Sequence, residues 1–122
     1  MDLFNTSLAI AGAETPKDVP LDGVDMSPIL FGDGKGRRDT FFYYLGDEAF
    51  AVRKGPYKAH FVTHPSYTKD EPEKHNPPLL FNLQEDPSEQ FDIAAKHPKI
   101  VAELTKIYED HRATITRGKL QY

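Results

Sequence analysis

Phe50–Thr63 reads Phe-Ala-Val-Arg-Lys-Gly-Pro-Tyr-Lys-Ala-His-Phe-Val-Thr, and its reading decides the fold. Two strand-like runs flank Lys54-Gly55-Pro56. In the second run Tyr57, Ala59, Phe61 and Thr63 fall on one face, and Lys58, His60 and Val62 on the other. That period of two is the pattern of a half-buried strand. Gly55 takes positive φ at little cost, and Pro56 has no N–H to donate to a ladder, so the chain turns there. The stretch is therefore a β-hairpin at the centre of a small sheet, with Tyr57 and Phe61 facing the core.

The flanking segments supply the rest of the sheet. Thr40–Leu45 carries Phe41-Phe42-Tyr43-Tyr44 between Asp39 and Gly46-Asp47, an aromatic strand with turn residues at both ends. Leu79-Leu80-Phe81-Asn82-Leu83 reads as another strand, followed by a turn over Gln84–Gln90. Between them, His64–Pro78 is polar and Pro-rich and reads as a long excursion from the fold. Pro98–Ile115 is the strongest helix. Pro98 suits the first helical position, and Ile100, Val101, Leu104, Ile107, Tyr108, His111 and Ile115 form one stripe that should lie across the sheet. Glu103 and Lys106 are spaced to pair on the outer face, and Thr116–Tyr122 is a basic tail.

At the other end, Leu3, Phe4, Leu8 and Ala11 stand at helical spacing with Ile10 beside them. Asp2 is the expected N-cap and Gly12 the stop. A helix of about ten residues is not stable alone in water, so this one must dock on something. A polar link, Glu14–Pro20, leads to a short turn in which Ser27 and Pro28 suit the cap and first position. The expected class is α+β: an antiparallel sheet of three or four strands against a long C-terminal helix, with an N-terminal helix and link. Residues 1–38 form the helix and link, and 39–122 the sheet-plus-helix subdomain.

The bulk numbers bound the function. With 122 residues there is material for one modest core, and 8 Phe and 6 Tyr can fill a sheet–helix interface. A net charge of −4 gives no electrostatic case for nucleic acid or an anionic membrane as main partner. No apolar run approaches the roughly 18 residues of a membrane span, and no basic start precedes an apolar core as in a signal peptide. The absence of Cys excludes a disulfide framework, a thiolate nucleophile and a Cys-based zinc site. Asp22 and Asp25 lack the calcium-loop pattern, and Gly32–Gly36 lacks the phosphate-loop spacing. Of the five His, none stands four residues from another with a Glu to make a helical zinc pair. None of Ser7, Ser27, Ser66 and Ser88 lies in a Gly-x-Ser-x-Gly elbow. The residues by themselves hold no catalytic centre.

Taken in order, several stretches resemble the C-terminal part of an arylsulfatase. They are Asp2-Leu3-Phe4-Asn5-Thr6, Ala11-Gly12, Leu21–Asp25 with Ser27-Pro28 and Leu30, Phe41–Tyr43, Ala51–Arg53, Gly55–Phe61, His75–Leu83 and Glu85–Glu89. The resemblance runs from Asp2 to about Asp92, and the helix from Pro98 fits the place of a terminal helix. It implies hydrolysis of sulfate esters by a formylglycine, made from Cys or Ser in a Cys/Ser-x-Pro-Ser-Arg motif, beside a calcium ion held by Asp and Asn. None of those groups is in this chain, and they are expected upstream of Met1. The implied object is thus a C-terminal subdomain that completes the fold and the rim of the active-site cleft, with no catalytic or metal-binding residue of its own. Its implied partners are the N-terminal catalytic domain and that domain's sulfate ester substrate. His75 is the first candidate for the substrate rim, with His60 and Lys54 behind it. Cut away from its partner, the helix bearing Leu3, Phe4, Leu8 and Ile10 is expected to drive self-association. The alternative is a stand-alone ligand-binding or interaction module of the same fold.

Overall fold

The computed structural model describes residues 1–19, 21–32, 34–36, 38–65 and 70–115. The expected basic tail at 116–122 lies outside them, as do Pro20, Asp33 and residues 66–69 of the expected links. The chain forms two compact units, Met1–Asp39 and Thr40–Tyr122.

The first unit holds helix α1 (Asp2–Ala11) and the single turn α2 (Ser27–Leu30). Gly12 closes α1 at φ 67, and its N–H reaches Ala9 O at 3.2 Å while Ala13 N reaches Leu8 O at 2.9 Å. Asp2 does not cap the helix as expected, because Met1 occupies that place and no side chain caps it. The Asp2 carboxylate is drawn to other donors: Oδ1 accepts from Val24 N at 3.0 Å and from Arg38. Those donors hold its carboxyl below the usual carboxylate range, Arg38 first and Val24 next. Ser27 likewise is the first residue of α2 and not its cap. Its N–H is taken by Asp25 Oδ1 at 2.8 Å. Thr6 is the buried residue of α1; its Oγ1 donates to Asp2 O at 2.7 Å and accepts from Met26 N at 3.0 Å. Polar pegs stitch this unit together. Most of its large apolar side chains face outward, with Leu3 79%, Phe4 52% and Phe31 65% exposed, while Leu8 is half-buried.

The second unit is a four-stranded antiparallel sheet in the order β1 (Thr40–Leu45), β2 (Glu48–Lys54), β3 (Tyr57–Thr63), β4 (Glu73–Asn82). A 3-10 turn at Ala94–Lys96 leads into α3 (Pro98–Thr114), which packs on β2, β3 and β4. The central hairpin turns at Gly55, φ 55, with Lys54 opposite Tyr57 and Val52 opposite Ala59. The core under α3 gathers Val52, Ala59, Phe61, Leu80, Leu104 and Tyr108, with Phe42, Tyr57 and Ile100 packed against it. Phe61 and Tyr108 stack face to face, ring centroids 3.7 Å apart. The Tyr108 hydroxyl donates to Ala49 O at 2.8 Å. His111, which the stripe places on the buried side, stacks on Phe42 at 3.6 Å and bonds Tyr44 OH.

The structure corrects three expectations here. Strand β4 begins at Glu73, not Leu79, so His75, Pro77 and Pro78 lie within it and not on a loop. The ladder pairs Thr63 with Glu73 and Val62 with Lys74, then resumes at His60 with Leu79. Pro77 and Pro78 stand in the stretch between, where no ladder N–H is required. The same irregularity breaks the alternation, so Val62 is buried in the core cluster and does not share the face of Lys58 and His60. Glu103 and Lys106 do not pair: Lys54 Nζ donates to Glu103 Oε1 at 2.6 Å, and Lys106 pairs with Asp110 one turn on.

Phe61 is 8% exposed, so Phe61→Ala should cost about 3–5 kcal/mol by lost burial and the cavity left behind. Denaturant unfolding measures it, and a loss below about 1 kcal/mol would show that the stack on Tyr108 does not hold the helix.

Candidate functional site

The two ends of the sheet differ. At one end β2 and β3 are joined by the tight turn at Gly55-Pro56; at the other, β3 and β4 are joined by the long connection after Thr63. His75 stands at this second end, where its Nε2 lies 2.8 Å from Thr63 Oγ1. Beside it a cleft of about 400 Å³ opens between the start of β4 and α3. Phe61, Val62 and Tyr108 contribute apolar surface to it, and Lys74, His75 and Arg112 bring polar groups. The Arg112 guanidinium lies 5.4 Å from the Tyr108 ring centre and 3.9 Å from Glu109 Oε1. Such a mixture of an apolar floor and convergent polar groups suits a small organic ligand.

His60 stands on the face of the sheet opposite α3. Its ring meets the edge of Phe81, centroids 5.8 Å apart, and its Nε2 lies 2.6 Å from Glu89 Oε2. The other Glu89 oxygen accepts from Lys58 Nζ at 2.6 Å, and Lys58 lies 4.3 Å from the Tyr43 ring centre. Sequence reasoning missed Glu89. It lies in the turn after β4 with φ 54, and nothing in a linear pattern joins it to residues 29 and 31 positions earlier. An acidic residue ending an Asp-Pro-Ser turn was the one signal available.

Lys54 belongs to neither group. It sits at the Gly55 end of the hairpin, paired with Glu103. Lys54 is opposite Tyr57 and Glu73 opposite Thr63, so the length of β3 separates it from the His75 end. At about 3.3 Å per residue that is roughly 20 Å, too far for one small ligand to touch both.

Comparison with known proteins decides the family. Residues 36–122 match the model of the C-terminal region of aryl-sulfatase. The chain belongs to the sulfatase family. It is 42% identical over 144 aligned residues to arylsulfatase A of Bos taurus, covering 99% of this chain and 28% of that protein. It is 33% identical to N-acetylgalactosamine-6-sulfatase of Canis lupus familiaris, covering 99% of this chain and 27% of that one. Among solved structures, a sulfatase from Pseudoalteromonas sp. superposes with a TM-score of 0.76 at 28% identity over 93% of this chain and 25% of its own. The chain therefore spans about a quarter of the length of these sulfatases and corresponds to their C-terminal region. The resemblance read from the sequence is the family found.

In this sulfatase region the two titrating groups of the sheet face set a pH dependence. Burial lowers His60 below its usual 6.5, the Lys58 charge adds to this, and Glu89 opposes it. For Glu89 burial acts upward, but Lys58 and His60 outweigh it and leave the carboxyl below its usual 4.5. Each group binds fewer protons folded than unfolded, so each stabilises the fold at higher pH. The His60 contribution is lost as pH falls from 6.5 toward its lowered value. The Glu89 contribution is lost as pH falls from 4.5 through its own. The melting temperature should drop across both ranges, His60→Phe flattening the upper and Glu89→Gln the lower. A profile flat in both ranges, or unchanged by both variants, contradicts this.

Proposed function

We propose that the protein this chain belongs to hydrolyses sulfate esters, and that this chain completes its fold and the rim of its active-site cleft. The observation that carries this reading is the similarity of 99% of the chain to arylsulfatase A, of which it spans 28%. The nucleophile belongs elsewhere. There is no Cys, and none of the four Ser begins a Ser-x-Pro-Ser-Arg motif, so the chain cannot furnish the formylglycine. Among the described residues no three His, Asp or Glu side chains are grouped to hold a metal ion, so the residues here do not fit the calcium either. The tasks left to this chain are packing and substrate contact.

Packing falls to the first unit. Leu3, Phe4, Ile10, Ile29, Leu30 and Phe31 are all exposed, and a unit of this size does not keep so much apolar surface in water. Burying each is worth on the order of 1.5–3 kcal/mol before ordering costs. The N-terminal catalytic domain is the partner that would cover them. Substrate contact falls to His75 beside its cleft and to His60 on the sheet face. Lys54, held by Glu103, is the remaining rim candidate and would serve a separate contact.

The 122-residue chain alone should not hydrolyse a chromogenic aryl sulfate with calcium present, and turnover above a heat-denatured control contradicts the reading. In the full-length protein, His75→Ala should raise KM several-fold with kcat little changed, the mark of lost substrate binding. Unchanged kinetics would remove His75 from the rim.

A further inference from the structure

Glu89 carries a side chain at φ 54, in the left-handed region that favours glycine. The turn thus accepts backbone strain and places a carboxylate between two groups of β3. One oxygen takes Lys58 Nζ and the other faces His60 Nε2, both at 2.6 Å. Lys58 is in turn held over the Tyr43 ring and His60 against the edge of Phe81. All three side chains are half-buried, at 13%, 18% and 25% exposure for Lys58, His60 and Glu89.

An ionised carboxylate only accepts hydrogen bonds, so the nitrogen facing it must carry the proton. A neutral imidazole has one N–H. With it on Nε2, Nδ1 is left with a lone pair. We propose that Glu89 is a positioning residue: with Lys58 it fixes His60 as the Nε2–H tautomer and makes Nδ1 an acceptor for a hydroxyl of the substrate's alcohol portion. This rests on His60 as a rim residue of a sulfate ester hydrolase. Burial, Lys58 and the nearby His75 charge all favour the neutral ring that the tautomer requires, against the pull of Glu89. Lys58 neutralises the carboxylate that would otherwise draw a second proton onto the imidazole.

Long-range nitrogen–proton NMR correlations of the 122-residue chain read the tautomer directly. His60 should be Nε2–H at neutral pH. Glu89→Gly relieves the backbone and removes the carboxylate, so both tautomers should appear without loss of fold. Glu89→Gln has one oxygen, which Lys58 Nζ takes because it can only donate, so the amide NH2 faces His60 Nε2 and should turn the ring to the Nδ1–H tautomer. In the full-length protein Glu89→Gly and Glu89→Gln should each lower kcat/KM for a sulfate ester about tenfold, as for one ordinary hydrogen bond lost. A Nδ1–H or doubly protonated His60 in the unaltered chain overturns the proposal. So does a tautomer, or a kcat/KM, that Glu89→Gly leaves unchanged. A full-length protein that hydrolyses no sulfate ester overturns the functional reading itself, a result distinct from any NMR outcome.

Discussion

Tyr108 fastens α3 to the sheet in two ways at once. Its ring lies flat on Phe61 of β3, and its hydroxyl reaches the Ala49 carbonyl of β2. A buried tyrosine needs a partner for its hydroxyl, and here the partner also fixes the helix against the strands. Burial raises its pKa further above 10.0, so the donor stays protonated. Because the helix takes one face, Lys58, His60 and Glu89 can build a polar cluster on the other. Because α3 runs past the start of β4, a cleft opens between them beside His75.

The first unit follows a different logic. Thr6 and Asp2 satisfy backbone N–H groups of residues 24 and 26, which fixes the link without an apolar interior. Leu3, Phe4 and Ile10 of α1 and Ile29 and Leu30 of α2 are turned to the outside. That is the construction of a segment made to be covered, and it agrees with a chain that spans about a quarter of its relatives.

Three elements read by local pattern stand in the structure where they were expected. The aromatic run Thr40–Leu45, the Gly55 turn and the Pro98 helix each carry their own period and punctuation. Features set by long-range partners were not legible. Pro77 and Pro78 spoke for a loop, yet β4 runs through them because its register shifts there. Val62 alternates like its neighbours in sequence, and the same shift buries it. Asp2 and Glu103 have local roles by spacing, but Arg38, Val24 and Lys54 compete for them and win. Of the candidate site, His75 and His60 were named from the chain. Their setting was not, since the cleft needs α3 in place and the Glu89 contact needs a turn folded back onto β3.

Hydrogen exchange, compared between the 122-residue chain and the full-length sulfatase, tests the central claim that one unit stands alone while the other completes a larger domain. Amides of β2, β3, β4 and α3 should be protected in both. Amides of α1 and α2 should exchange fast in the chain at low concentration and slowly in the full-length protein. Protection of α1 that appears only at high concentration would mean a second copy occupies the partner's place in the isolated chain. Equal protection of α1 in the dilute chain and the full-length protein would contradict the account.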